Sequence, residues 1–212
     1  MRFKFAKYSL ALLFLLSSFN VFAQRKEIST WSAQISLGLN SPSKGGFVDG
    51  FPAQTLNLPT VNLGIQRMFN RQFGVKLDYG FNRFKGEDTS QEFKVNYNRI
   101  NAQLVYNPSE SLLFLPQPMQ LVAHAGPGFS IATPLGTLDE NKQSYLNFNL
   151  GFEVHYSINR KVNLFTDISY IYGFTSLDDY NPEINGLGAF NGSVFNVSLG
   201  VSIALSGCYY CE

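Results

Sequence analysis

Two runs of alternating residues, separated by a short polar segment, constrain the fold of this 212-residue chain more than any other feature. The runs cover residues 146–156 and 162–172, and both carry mostly apolar or aromatic residues at even positions and mainly polar residues at odd positions. The segment between them is Ser-Ile-Asn-Arg-Lys. Period-two alternation on both sides of a short turn predicts an antiparallel β-hairpin.

The composition of the two hairpin faces indicates which face meets which solvent. The polar face consists chiefly of Asn, Gly, Glu, His and Asp, so it is small and mostly uncharged. A soluble sheet of this length normally carries Lys and Glu on its wet face, whereas a narrow interior requires small polar groups. We therefore expect the apolar face to point outward into lipid and the polar face to point into an enclosed lumen.

The composition of the whole chain limits its function classes. Hydrophobic residues make up 45% of the sequence and charged residues 15%, which excludes intrinsic disorder and suits one domain. The net charge of +1 provides no basic surface for nucleic acid, so no nucleic-acid partner is expected. No segment after the N-terminus is apolar enough for a transmembrane helix, so strands must cross any membrane in which the protein resides.

The N-terminal residues 1–23 have the pattern of a cleaved secretory signal peptide. Arg2, Lys4 and Lys7 form a basic start, an apolar run follows at 10–16, and Val-Phe-Ala precedes a cleavage site before Gln24. An uncleaved membrane anchor is the alternative, but the apolar run is far shorter than the ~20 residues that a spanning helix needs. No cysteine follows the site, which argues against a lipoprotein. The signal predicts export.

The same alternation recurs along the chain and predicts eight strands. They cover residues 31–39, 61–69, 73–82, 95–106, 119–131, 146–156, 162–172 and 195–205. The connections alternate between long polar loops and shorter turns, as in bacterial outer-membrane barrels with external loops and periplasmic turns. The predicted fold is all-β: an eight-stranded antiparallel up-and-down transmembrane β-barrel over residues 24–207, followed by a short periplasmic tail, 208–212.

Aromatic residues are predicted to form a belt at each end of this barrel. One belt comprises Trp31, Phe69, Phe73, Tyr106 and Tyr156, and the other comprises Phe81, Tyr97, Phe129, Phe148, Tyr172, Phe174 and Phe195. Girdles of this kind mark the two membrane interfaces of transmembrane barrels.

Charged residues on the inward face predict a network in the lumen. The inward set is Lys76, Asp78, Arg99, His124, Glu153, His155 and Asp167. Folding the last hairpin places Glu153 opposite Asp167, and Lys76 and Arg99 are the cations available to neutralise them, because an unpaired buried ion costs several kcal/mol. We interpret the set as a salt-bridged plug. The alternative is a gate, in which breaking the pairs opens a narrow ion path.

Catalytic, cofactor and metal sites are not predicted. His124 and His155 point inward, whereas an outer-membrane lipid hydrolase or acyltransferase needs a His beside a Ser on the lipid-facing or extracellular side. As metal ligands the two histidines lack a convincing third partner beyond Glu153. Cys208 and Cys211 predict a small disulfide loop in an exported protein, and a zinc site or a thioredoxin-type pair are the alternatives.

The sequence resembles the eight-stranded outer-membrane barrels of the OmpA type, especially those of Bacteroidota. The resemblance spans about residues 31–205 and rests on the signal peptide, the stretch His-Ala-Gly-Pro-Gly-Phe at 124–129, and the hairpin segments 151–154 and 167–170. Gly200, Ile203 and Leu205 also resemble the terminal signal read by the barrel-assembly machinery, although Leu199 stands where a polar residue is usual. Only seven residues follow Leu205, so we expect no peptidoglycan-binding domain.

The resemblance implies a location in the outer membrane, with membrane lipid and the barrel-assembly machinery as partners and a structural or surface-interaction role. The loops at 40–59 and 175–192 would carry any binding of an extracellular ligand, as in an adhesin or receptor. A soluble lipocalin-like carrier is the non-membrane alternative. It requires apolar residues inside and charged residues outside.

Overall fold

The computed structural model describes residues 30–48, 51–88, 90–112, 115–116, 118–159, 161–174 and 186–205. Eight strands form a closed antiparallel barrel in which each strand pairs with its sequence neighbours and the last pairs with the first. The strands are β1 Thr30–Pro42, β2 Asn57–Met68, β3 Phe73–Lys85, β4 Lys94–Tyr106, β5 Met119–Pro134, β6 Gln143–Ser157, β7 Val162–Phe174 and β8 Val194–Ala204. The predicted fold class is confirmed.

Several predicted features lie outside the described residues. They are the signal peptide at 1–23, Cys208 and Cys211, and most of the loop at 175–192. Among the described residues, no helix has the length and apolar character needed to cross a membrane.

The hairpin of β6 and β7 has the register expected from its alternation. Glu153 lies opposite Asp167, and Phe148 lies opposite Tyr172. We call the end of the barrel with the β2–β3, β4–β5 and β6–β7 connections the turn end, and the opposite end the loop end.

An asparagine side chain shapes each of the three connections at the turn end. Asn70 Oδ1 accepts hydrogen bonds from the backbone N–H groups of residues 72 and 73, and Asn159 Oδ1 accepts from those of residues 161 and 162. In the longer third connection, Asn107 Oδ1 accepts from the N–H of Ser109. Asn side chains favour turns because they satisfy backbone donors two or three residues further on.

The orientation of the two faces matches the membrane interpretation. Phe148, Leu164 and Val197 point outward with 37%, 47% and 36% of their surface exposed, whereas Asn149, Asp167 and Ser198 are at most 6% exposed in the interior. Apolar side chains cover the outer surface of the barrel, and polar side chains fill the middle part of its interior. This arrangement is the reverse of that in a lipocalin-like carrier, so the carrier alternative is wrong.

The predicted aromatic belts are largely on the outer surface, but Tyr97 is an exception. All five residues predicted for the turn end are exposed, whereas Tyr97 is fully buried inside the barrel. Tyr97 shares its face of β4 with Arg99, two residues further on, so the period of the strand turns both side chains inward. The assignment of Tyr97 to a belt was therefore wrong.

The strands run further at the loop end than predicted, and their polarity reverses there. On the extended part of β3 and β4, Phe84 and Val95 point inward and are fully buried, whereas Lys85 and Lys94 point outward and are exposed. Charged groups outside and apolar groups inside are the pattern of a barrel in water. The loop end thus extends beyond the apolar band.

Candidate functional site in the barrel interior

The loop end of the interior is filled by an apolar cluster that we call the aromatic cap. Its buried members are Phe47, Ala53, Phe84, Phe93, Val95, Tyr97, Ala132, Tyr145, Ile171, Phe190 and Val194. Phe190 lies at its centre, with its ring centroid 4.6 Å from that of Phe47 and 5.0 Å from that of Phe84. Most of the cap comes from the inward faces of strands, and Phe47, Ala53, Phe93 and Phe190 come from the loops.

Two of these loops are joined by backbone hydrogen bonds that place their rings over the mouth. The N–H of Ser43 donates to the carbonyl of Ser193 at 2.8 Å, and the N–H of Asn191 donates to the carbonyl of Gly46 at 3.2 Å. At Gly192 a Cβ would lie 2.7 Å from the Cα of Gly46, so the close approach of the two loops requires glycine there. The cap is therefore held by main-chain contacts as well as by ring packing.

A layer of uncharged polar side chains lies below the aromatic cap. Asn40 and Asn82 both donate to Thr60 Oγ1, and Asn82 Nδ2 also lies 2.8 Å from Asn196 Oδ1. None of these four residues is more than 1% exposed. The layer is buried and links β1, β2, β3 and β8 from the inside.

The charged residues lie nearer the turn end, where Glu153 accepts three side-chain hydrogen bonds. Lys76 Nζ lies 2.5 Å from Glu153 Oε1, and His155 Nε2 lies 2.6 Å from Oε2. Gln34 Nε2 donates to the same Oε2 at 3.2 Å. These contacts join β1, β3 and β6 across the lumen, and the carboxylate is 1% exposed.

Arg99 pairs with Asp78 on the neighbouring strand and not with either carboxylate of the last hairpin. Its Nη1 lies 2.7 Å from Asp78 Oδ2, and its Nη2 donates to Asn62 Oδ1 at 2.7 Å. The guanidinium passes over Gly80, where a Cβ would lie 2.5 Å from its Cζ. Gly80 thus makes room for a planar cation inside a narrow barrel.

Asp167 has His124 as its ionisable neighbour. His124 Nε2 lies 2.8 Å from Asp167 Oδ2, and Ser169 Oγ donates to Asp167 Oδ1 at 2.8 Å. On its other side, His124 Nδ1 lies 2.5 Å from Gln103 Oε1, and Gln103 Nε2 donates to Asp78. One chain of contacts therefore runs from Arg99 through Asp78, Gln103 and His124 to Asp167.

A cavity of about 20 Å³ remains among these side chains. That volume suits a single water molecule. Its lining includes Lys76, Asp78, Arg99, His124, Asn149, Glu153 and Asp167.

The interior brings together all seven residues of the predicted inward set, and it also contains contacts that the alternation did not reveal. His155 contacts Glu153 and stacks on Phe165, with 5.2 Å between ring centroids. Gln103 connects the two halves of the charged layer and was not predicted. The aromatic cap was also missed, although the continued alternation beyond residue 82 with reversed polarity was a signal that could have revealed it.

The fold and the two faces define a class of protein. A closed barrel with an apolar belt outside and polar side chains inside is the form in which strands cross a membrane, because every backbone group finds a partner and no edge is left open.

The chain belongs to the family described as outer membrane protein beta-barrel domain, whose model matches residues 9–202. Membership places the protein among the barrels of the bacterial outer membrane. Comparison with curated proteins gives no match.

Solved structures share the fold at low sequence identity. Neisserial surface protein A is 18% identical with a TM-score of 0.52, and the alignment covers 82% of this chain and 96% of that protein. A major outer membrane protein from Thermus thermophilus is 13% identical with a TM-score of 0.57, covering 84% and 99%. The attachment invasion locus protein of Yersinia pestis is 15% identical with a TM-score of 0.50, covering 85% and 100%. At such identities the likeness concerns the fold alone.

Proposed function

We propose that the protein is a closed outer-membrane barrel that acts as a structural or surface-interaction protein through its loop end, and not as an open pore. The observation that carries this proposal is the aromatic cap, because it fills the mouth with side chains that exclude water. Phe84, Phe190 and Tyr97 have no exposed surface.

The obstacles to ion passage lie in series along the lumen. An eight-stranded barrel is just wide enough for its own side chains. An ion entering from the loop end would first meet the aromatic cap, then the buried amide layer around Thr60, and then the buried pairs at Glu153 and Asp78. Each layer would have to rearrange for conduction.

A surface role is supported by the way the loop end is built. The cap and two backbone hydrogen bonds hold the described parts of the first and last loops, residues 43–47 and 190–193, against one another. Loops on a rigid scaffold are where recognition is commonly built. We therefore assign any extracellular ligand to the loops at 40–59 and 175–192.

Single-channel recording in planar bilayers tests the closed state. The purified wild-type protein should show no openings above the background of the bilayer. A variant with Phe47→Ala and Phe190→Ala should also remain closed, because the amide layer and ion pairs still block the lumen. Sustained channel openings of the wild-type protein would refute the proposal that the barrel is closed.

A narrow gated pore is the second candidate, and one observation favours it. Glu153 has three side-chain donors around one carboxylate, so exchange among them could break the contact with Lys76 without leaving Glu153 unpaired. The test is the comparison of wild type with Glu153→Gln. Openings in the variant but not in the wild type would favour a gate, and no openings in either would eliminate it.

We infer that the protein has no catalytic activity. This inference is supported by the positions of His124 and His155, which lie in the interior at 3% and 5% exposure, away from lipid and from the loop surface. Incubation of the folded protein with outer-membrane lipids, followed by mass spectrometry of the lipids, should give no new product.

We also propose that residues 1–23 are removed during export and that the barrel-assembly machinery recognises the end of the last strand. We propose further that Cys208 and Cys211 form a disulfide. The mass of the protein isolated from outer membranes should correspond to a chain starting at Gln24. A peptide containing both cysteines should be two hydrogens lighter before reduction than after it. An intact residue 1 would refute cleavage, and equal masses would refute the disulfide.

A further inference from the structure

The tautomer of His124 is fixed by its neighbours, and this leaves an unusual contact on the other side of the ring. Gln103 uses its amide nitrogen to donate to Asp78, so its oxygen must face His124 Nδ1. Nδ1 therefore carries the hydrogen and donates it to Gln103. Neutral imidazole has only one N–H, so Nε2 then presents a lone pair to the carboxylate of Asp167, 2.8 Å away. The lone pairs of His124 Nε2 and Asp167 Oδ2 repel one another at that distance unless a cation lies between them.

The net charge of the interior also indicates that a cation is needed. Among the described residues, the formally charged side chains buried in the lumen are two cations and three carboxylates, namely Lys76, Arg99, Asp78, Glu153 and Asp167. The lumen thus carries an excess of one negative charge. A proton or a metal ion at Nε2 would supply the missing positive charge.

Glu153 lies close to His124 and Asp167 and could act as a third metal ligand. One ligand atom each from His124, Glu153 and Asp167 can be chosen so that all three lie within 4.8 Å of one another, and all three residues are buried. The same residues line the cavity of about 20 Å³. Asn149 also lines it, is 2% exposed, and its Oδ1 has no hydrogen-bond partner among the described residues.

We propose that His124, Glu153 and Asp167 bind a divalent transition-metal ion inside the barrel, with the cavity supplying a fourth position for water or for Asn149 Oδ1. One imidazole nitrogen and two carboxylate oxygens form a donor set that suits Zn²⁺ and its neighbours in the series. Metal–ligand bonds of about 2.0–2.2 Å place tetrahedral ligand atoms about 3.3–3.6 Å apart. Ligand atoms that lie up to 4.8 Å apart must therefore approach by at most about 1.5 Å, and His124 Nε2 and Asp167 Oδ2 must separate slightly from 2.8 Å.

The contacts around the three ligands support metal binding over a simple hydrogen bond. A metal-bound histidine characteristically donates its other N–H to a carbonyl or carboxylate, which fixes the ring, and Gln103 provides that acceptor here. Lys76 contacts Oε1 of Glu153, and His155 and Gln34 contact Oε2, so a metal ion at Oε2 would take the place of one of those two donors.

Access is easiest from the turn end. Interior side chains near that end retain a little exposure, 9% for Gln66 and 7% for Gln34, whereas Thr60 and Asn82 nearer the loop end have none. The ion should therefore enter from the turn end of the folded barrel or be captured while the barrel closes.

Zinc binding by the full chain tests the proposal. The parent protein should carry Cys208→Ser and Cys211→Ser, which removes both cysteines as alternative zinc ligands, and should have no polyhistidine tag. It is stripped with a chelator in detergent, given Zn²⁺ either after folding or during refolding, and desalted. Elemental analysis should find about one zinc ion per chain, and titration calorimetry should measure its affinity.

Matched variants locate the ion. His124→Gln and Asp167→Asn should each weaken zinc binding at least tenfold, whereas Asp139→Asn, which changes an exposed carboxylate outside the interior, should retain it. Gln103→Leu keeps all three ligands and should weaken binding by about 10–100-fold, as expected for a group that orients a ligand. The heat-modified gel mobility of each variant shows whether its barrel is folded.

The absorption of the Co²⁺ form provides a readout that needs no variant. Cobalt bound to the parent protein by nitrogen and oxygen ligands in a four-coordinate site should give visible bands stronger than those of aqueous Co²⁺. A parent protein that takes up neither metal would overturn the proposal and leave a proton as the occupant. Equal zinc affinity in the parent, His124→Gln and Asp167→Asn would also overturn it.

Discussion

Glu153 on β6 lies directly opposite Asp167 on β7, yet the two carboxylates have separate partners. Glu153 contacts Lys76 from the far side of the lumen, and Asp167 contacts His124 from the adjacent part of the wall. Cross-strand like charges destabilise a sheet unless each is neutralised. The stability of the hairpin therefore depends on residues in β3 and β5, which ties the last strands to the middle of the barrel.

Removal of Lys76 should destabilise the barrel strongly. The Lys76→Met variant leaves Glu153 buried without its cation, and breaking a buried pair from one side costs about 3–5 kcal/mol. The free energy of unfolding by guanidinium in lipid vesicles measures the effect.

The exposed pair of Lys94 and Glu92 is the matched control for that experiment. Its atoms are 3.1 Å apart, and both side chains are largely in solvent. Lys94→Met should change the free energy of unfolding by about 1 kcal/mol or less. Equal losses in the two lysine variants would contradict the view that the lumen is a low-dielectric interior.

The alternation of the sequence was sufficient to predict the barrel because period-two patterning determines which face of a strand is buried. The register of the β6–β7 hairpin followed from the length of its turn, and the inward positions of Lys76, Arg99 and Glu153 followed from the same period. These are local properties of strands, which a single sequence records.

The pairing of the inward charges could not be read in this way. Arg99 contacts Asp78 because Gly80 leaves space for its guanidinium between the strands, and Asp167 contacts His124 because Gly151 leaves space for the imidazole. Which charged residues pair therefore depends on where glycines in neighbouring strands leave space for a large side chain. That information appears only after the strands are set side by side.

The aromatic cap was missed for a different reason. Phe47 and Phe190 occur in Gly-rich segments with no alternation. Phe84 lies between the predicted third and fourth strands, and Tyr97 was assigned to an outward-facing aromatic belt. In the lipid-facing part of a strand the apolar side chains point outward, but at the loop end they point inward. The barrel is surrounded by lipid in its middle and by water at the loop end, while the period of two continues through both parts.

Removal of the central ring of the cap should release the loops. Phe190→Ala removes a fully buried ring that contacts Phe47, Phe84 and Tyr97, and truncation of a buried Phe costs about 3–5 kcal/mol. Part of this cost should appear as local opening, so trypsin should cleave the first loop at Lys44 faster than in the wild type.

Phe174→Ala is the control because Phe174 lies near the same end but points outward with 55% exposure. Cleavage at Lys44 should proceed there at the wild-type rate. If both alanine variants are cleaved equally fast, the cap does not hold the loop.

Gly80 should not tolerate a larger residue. In Gly80→Ala the new methyl group would lie 2.5 Å from Arg99 Cζ and 2.6 Å from its Nε, so the guanidinium must leave the position in which it contacts Asp78 and Asn62. Overpacking of this kind costs about 1–3 kcal/mol. Unfolding in guanidinium measures the loss.

Gly45→Ala provides the comparison, because a Cβ there meets no atom within 4 Å. Its free energy of unfolding should stay within about 0.5 kcal/mol of the wild type. A tolerant Gly80 would mean that Arg99 is not confined between the strands.

The outward face of β6 should reject charge in proportion to its depth in the membrane. Leu150 lies in the middle of the strand, is 49% exposed and contacts lipid in this arrangement, so Leu150→Arg should destabilise folding into a bilayer by about 2–4 kcal/mol. Tyr156 is also exposed but lies near the turn end, where the cost of Tyr156→Arg should fall to about 0–1 kcal/mol. Reversible folding into lipid vesicles measures both values. A gradient between them follows only if hydrocarbon surrounds the middle of the barrel, because arginine on a surface facing water would cost little at either position.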